Sequence, residues 1–161
     1  MATYKTPQEY PVSISALIEE NDVSLVTLSL ALEQASIEFK TRENNRLYVT
    51  EDGYFPFWIE IAKGAHYVFL TSHLEFVEGL SEETKLEFCN QVNARLYIPS
   101  ANVQVIDREG ERICRMNTGY PIFYRDGLIP SQFIRLCRLF SEGMKQIVNE
   151  LDAEHELLQP L

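Results

Sequence analysis

The chain has 161 residues, 45% of them hydrophobic and 24% charged, a composition that fits one globular domain and excludes a disordered or fibrous chain. Its 14 Lys and Arg against 24 Asp and Glu leave a formal net charge of −10. That argues against nucleic acid as a partner, because phosphate binding needs clustered cations and no basic run occurs.

Residues 1–13 contain two prolines and no apolar core, so they do not read as a signal peptide, and the cytoplasm is the expected compartment. Pro7 and Pro11 discourage a first long helix. Ile14, Leu17 and Ile18 are expected to form one turn that packs onto the domain. Asp22 is read as an N-cap, and Leu25, Leu28, Leu32 and Ala35 recur at helical spacing, which predicts a helix over 23–36. The apolar stretch at 23–32 is interrupted by Ser24, Thr27 and Ser29 and is too short to cross a membrane.

A meander follows. Ile37 and Phe39 alternate, Glu43-Asn44-Asn45 turns the chain, and Leu47 and Val49 alternate on the return. Asp52-Gly53 is a strong turn signal because both residues tolerate positive φ. Phe55, Phe57, Ile59 and Ile61 then line one face of a strand, which sends Tyr54 and Trp58 to the other. Pro56 suggests that this strand lies at an edge or carries a bulge. Lys63-Gly64 turns again, and 67–71 forms a strand that is apolar on both faces.

Ser81 is the expected N-cap of a second helix, with Glu82 and Glu83 favoured in its first turn by the helix dipole. Leu86, Cys89 and Asn93 share one face of it, with Phe88, Val92 and Leu96 beside them, and Pro99 blocks its continuation. A second hairpin begins at Val103 and Val105, loops through 107–110 and returns over 111–118, where Gly119 and Pro121 are expected to end it. The last helix has the clearest pattern. Phe133, Leu136, Cys137, Phe140, Met144, Ile147, Val148 and Leu151 form an apolar stripe more than four turns long. Beyond it, Glu150, Asp152, Glu154 and Glu156 sit where the dipole disfavours anions, and a frayed, solvated end is expected.

Little in the chain suggests chemistry. His66 and His73 lie seven apart, so on a straight strand they point to opposite faces, and no Cys or carboxylate completes a zinc spacing. His155 lies in the tail. Cys89, Cys114 and Cys137 fit neither a disulfide framework nor a zinc motif, and each sits in an apolar pattern where a thiol is inert, as in a reducing compartment. The glycines are isolated and form no phosphate loop. No catalytic residue, metal ligand or cofactor site is expected, and the chain is not read as an enzyme.

The order of elements, with several local features, resembles the YbjN family, which shares the fold of type III secretion chaperones. Leu32-Glu33-Gln34-Ala35 before the strand at Ile37 resembles that family's first helix-to-strand step. Asp52-Gly53-Tyr54-Phe55-Pro56-Phe57 is similar to its acidic-Gly hairpin leading into an aromatic strand. Asn90-Gln91-Val92-Asn93 and then Pro99-Ser100-Ala101-Asn102-Val103 resemble the end of its second helix and the step that follows. The final helix after Ile129-Pro130-Ser131 is similar in length and stripe. The resemblance implies a bacterial sensory-transduction regulator or chaperone-like module that binds protein, a homodimer, and no catalytic residues.

The expected fold is therefore α+β, an antiparallel sheet of about five strands flanked by helices, in the order α-β-β-β-α-β-β-α and type III secretion chaperone-like. Residues 1–21 are an N-terminal segment, 22–157 the domain and 158–161 a tail. The expected function is non-enzymatic protein binding. Tyr54, Trp58, Tyr67 and Phe69 are the candidate interface, because apolar residues on a second sheet face need a cover. That cover is the N-terminal segment, the long helix, a second subunit or a partner. Nucleic acid and membrane are not expected partners. The alternative is a small-molecule sensor or unrecognised enzyme with a pocket between the sheet and the C-terminal helix.

Overall fold

The computed structural model describes residues 17–159. Helix α1 (Leu25–Gln34) leads into strands β1 (Phe39–Arg42), β2 (Arg46–Val49), β3 (Phe57–Ala62) and β4 (Tyr67–Glu75). Then come α2 (Glu82–Arg95), β5 (Ser100–Arg108), β6 (Glu111–Phe123) and α3 (Pro130–Gln146). The sheet has six antiparallel strands in the order β1-β2-β3-β4-β6-β5; four strands precede α2, matching the four alternating runs of the sequence, and the expected order counts one too few.

Local chemistry sets most of these boundaries. The N-cap of α1 is Ser24, not Asp22. Ser24 Oγ accepts from the Thr27 amide and Thr27 Oγ1 accepts from the Ser24 amide, a reciprocal box that Asp22 does not complete. Asp22 instead ends a short 3-10 turn at Glu20–Asp22. Ser81 caps α2 as expected, accepting from the Thr84 amide at 3.1 Å. Asn44 and Asn45 both take positive φ in the β1–β2 turn, as do Glu109 and Gly110 between β5 and β6.

The second hairpin runs on past its expected end. Gly119 and Pro121 lie inside β6, which continues to Phe123. Strand β5 starts at Ser100, opposite Gly119, so Pro121 sits beyond the reach of β5, where β6 has no neighbour on that side and a missing N–H costs no ladder bond. Pro56 tells a different story from the expected one. It precedes β3, which is an interior strand between β2 and β4.

Cross-strand partners share a face, and the register divides the sheet cleanly. One face carries Leu47, Val49, Phe57, Ile59, Val68, Leu70 and Met116, all buried. The helices pack there. Phe140 of α3 meets Phe57 with ring centroids 5.3 Å apart, and Phe133, Phe140 and Met144 are fully buried. Ser141 Oγ accepts the Phe55 amide at 2.7 Å, tying α3 to the approach to β3. Gly143 permits the closest contact of α3, because a Cβ there would collide with the Ile98 carbonyl oxygen. From α2, Phe88, Cys89 and Val92 are buried, but Leu86 is exposed. Asn93 clamps the start of β5 by bonding both the amide and the carbonyl of Ala101.

The acidic end of the chain is folded, not frayed. One π turn at Ile147–Leu151 follows α3. Asp152 is buried and its carboxylate accepts the amides of Glu156, Leu157 and Leu158 at 2.9–3.1 Å. This brings Leu158 into the core, paired with Phe76. At the other end, Ile18 pairs with Leu128 while Leu17 is exposed; Ile14 lies outside the described residues.

Candidate functional site

Because the helices cover one face of the sheet, the other faces outward. Its side chains are those that alternate with the core: Tyr48 on β2, Trp58 on β3, Tyr67 and Phe69 on β4, and Phe123 on β6. They form an aromatic stripe of two ring groups on adjacent strands. Tyr48 and Trp58 are directly opposed, with centroids 4.3 Å apart. Tyr67 meets Phe69 edge-on at 6.0 Å and Phe123 at 5.8 Å. Phe123 is 69% exposed and the others are half-buried. The tip of the Phe69 ring reaches Gly119, where a Cβ would collide with it, so this glycine makes room for the ring.

Three of the four expected interface residues, Trp58, Tyr67 and Phe69, thus share the open face. Tyr54 does not. Strand alternation begins only at Phe57, after Pro56, and Tyr54 lies in the preceding loop, where its amide bonds the Glu51 carbonyl. Its phenol oxygen accepts from Nε of Arg138 on α3 at 3.1 Å, on the helix side. Tyr48 and Phe123 belong to the stripe and were missed. Tyr48 lies between the alternating Leu47 and Val49, and Phe123 lies beyond Gly119 and Pro121, which signal the end of a strand.

Charged groups border the stripe. The Arg42 guanidinium carbon lies 6.0 Å from the Tyr48 ring centroid, close enough for a cation–π contact. Arg46 pairs with Glu60 at 3.2 Å. Below the stripe, Arg115 donates from Nε to Gln104 at 2.9 Å, and Arg108 pairs with Glu75 at 3.6 Å. Burial, reinforced by the positive charge of Arg115, holds the His73 imidazole below its ordinary range.

The residues that invite a chemical reading are separated. His73 is on the open face, while His66 lies in a left-handed turn with its Nδ1 2.6 Å from a Glu20 carboxylate oxygen. His155 lies beyond α3 and bonds the Asp152 carbonyl through its amide. Among the described residues, no group of three or more His, Cys, Asp or Glu is placed to hold a metal ion. Burial pushes the Cys89 thiol up to about 11 and the Cys137 thiol higher still, the opposite of what a nucleophile needs.

The space between sheet and α3, proposed above as a ligand pocket, is filled by Phe57, Phe133, Phe140, Met116 and Met144, each with no exposed surface. Clefts lie elsewhere. One of about 410 Å³ is lined by Glu75, Lys85, Arg108, Arg112 and Cys114, and another of about 530 Å³ by Ser24, Val26, Asn45 and Lys63. No helix among the described residues is long and apolar enough to cross a membrane.

Comparison with known proteins places this architecture. No curated protein matches the sequence. The crystal structure of YbjN from E. coli, described as "a putative transcription regulator", superposes with a TM-score of 0.70 at 18% identity, over 86% of this chain and 97% of that one. At that identity the likeness shows the fold. A chain of the HopA1–SchA chaperone–effector complex is matched at a TM-score of 0.48 and 11% identity, over 74% of this chain and 89% of that one. The YbjN family profile, described as "Putative bacterial sensory transduction regulator", matches residues 24–153, from the cap of α1 to just past the buried Asp152, and the chain belongs to that family.

Proposed function

We propose that this chain is a non-enzymatic protein-binding module of a regulatory or chaperone-like kind, and that its open sheet face is the docking surface. The observation that supports this reading most is the aromatic stripe of Tyr48, Trp58, Tyr67, Phe69 and Phe123, which the described helices leave uncovered. Large aromatic side chains gain most when they leave water, and clusters of them on a surface mark interfaces. The perturbed thiols and imidazole give no support to catalysis: burial explains each of them.

Two measurements test the proposal. Pull-downs from the native cell compare the wild type with Trp58→Ala and with Tyr97→Ala, a fully exposed control away from the stripe. A partner lost with Trp58→Ala and kept with Tyr97→Ala is expected. A set of retained proteins that ignores Trp58→Ala removes the stripe from function. The proposal also includes a homodimer in the cytoplasm. Light scattering at micromolar concentration should give twice the chain mass, in Trp58→Ala as in the wild type, and a strict monomer contradicts the dimer.

A further inference from the structure

The charge on the open face runs against the charge of the chain. The register puts five basic side chains there, Lys40, Arg42, Arg46, Arg108 and Arg115. Only three acidic ones, Glu60, Glu75 and Glu111, share it. The whole chain carries −10. Two of the five are already neutralised, since Arg46 pairs with Glu60 and Arg108 with Glu75. Lys40, Arg42 and Arg115 have no ion-pair partner among the described residues. They stand on opposite sides of the face: Lys40 and Arg42 on β1 beside Tyr48, where the stripe begins, and Arg115 on β6 beyond His73 and Asn117, eight residues along that strand from Phe123, where the stripe ends.

We propose that the segment docking on this face is an acidic, extended polypeptide that crosses the stripe at Trp58, with an apolar anchor there and carboxylates at its two ends. The proposal rests on the docking reading and goes further by fixing the partner's charge. One end would pair with Arg42, whose guanidinium lies over the Tyr48 ring and makes no ion pair with the described residues. The other would pair with Arg115, fixed by its bond to Gln104. The two positions are four strands apart across the sheet and six residues apart along it. At sheet spacings that diagonal is roughly 28 Å, the length of about eight or nine extended residues. Trp58 lies between them.

Single-stranded nucleic acid would also stack on aromatic side chains, but it needs cations along its whole backbone. Here the unpaired cations sit only at the ends, and the chain as a whole repels a polyanion.

His73 reports on the lower end. Its imidazole is shielded and lies next to Arg115, Glu75 and Arg108, with burial and then Arg115 the strongest influences and Glu75 opposing them. A carboxylate arriving beside Arg115 should therefore raise its titration midpoint.

The test is selection of random twelve-residue displayed peptides on the intact immobilised protein, with Trp58→Ala/Tyr67→Ala and Arg42→Gln/Arg115→Gln as parallel baits, each checked for native circular dichroism. Wild-type protein should enrich sequences rich in Asp and Glu with aromatic or aliphatic anchors. A synthetic peptide from that set should shift the emission of Trp58, the single tryptophan, and raise the His73 midpoint in an NMR titration. Arg42→Gln/Arg115→Gln should bind it at least tenfold more weakly. Enrichment of neutral or basic sequences, or equal affinity for the Arg42→Gln/Arg115→Gln bait, overturns the acidic partner and leaves the docking reading standing. No enrichment above the Trp58→Ala/Tyr67→Ala bait overturns both. An oligothymidylate that shifts Trp58 emission and is released by salt assigns the face to nucleic acid, and loss of dimer mass in Trp58→Ala assigns it to a second copy; either overturns the proposal.

Discussion

A single imidazole shows how the open face differs from ordinary surface. His73 lies between the aromatic stripe and Arg115, and burial followed by the charge of Arg115 lowers its pKa from the ordinary 6.5. Above that value the folded and unfolded chains both leave the ring neutral, so no stability depends on it. As pH falls below it, the unfolded chain takes up the proton first, and folding stability is lost until the folded-state pKa is passed. His73→Gln removes that loss. The melting temperature of the variant, relative to wild type, should therefore improve as the pH is lowered from about 7.5 to about 5. A difference that stays constant with pH would show that the ring is as accessible in the native protein as in the unfolded chain. Nothing in the sequence pattern could have shown this, since Arg115 reaches His73 only through the pairing of β4 with β6, some forty residues apart in the chain.

At the level of elements, what the sequence made legible was periodicity, and what it concealed was partnership. The stripe on α3 and the alternation in β3 placed Phe133, Phe140, Phe57 and Ile59 in the core, where they are. Boundaries that depend on a reciprocal side chain were displaced, as at Ser24 and Thr27, and a strand was cut short at Gly119 because the ring that fills its place comes from another strand. Three of the four candidate interface residues were placed by alternation alone, while Tyr54 was lost because the alternation does not extend back across Pro56. The C-terminal acids were misjudged most. Charge counting treats Asp152 as one of four anions at an unfavourable helix end, whereas its carboxylate organises the return of 156–158 against β4 by taking three amides. Asp152→Ala should cost roughly 1.5–3 kcal/mol, because it leaves buried amides unpaired and releases Leu158 from the core. Chemical denaturation should show this as a lower midpoint, with faster amide exchange at residues 156–158. Unchanged exchange there would mean that Leu158 alone holds the segment.

Among the described residues the helices take one side of the sheet, and on the strands of the other side basic side chains outnumber acidic ones although the chain carries a net charge of −10. Such a separation should be measurable without any partner. Trp58 is the only tryptophan and lies half-buried in the open face, with Arg46 and Glu60 on the neighbouring row and Lys40 and Arg42 on β1, two strands away. Collisional quenchers of opposite charge sample the potential at that spot. If the net charge of −10 governed it, caesium would quench Trp58 better than iodide. If the basic side chains of the face govern it, iodide should quench better, by about twofold to threefold for a local potential near half of kT. The screening length of about 10 Å at 0.1 M salt keeps the distant acidic surface from deciding the result. Arg42→Gln should bring the two quenchers closer together, and raising the salt to about 1 M should nearly equalise them once size differences are normalised with free tryptophan. A preference for caesium at low salt would mean that the face shares the sign of the rest of the chain, and charge would then have no part in choosing what docks there.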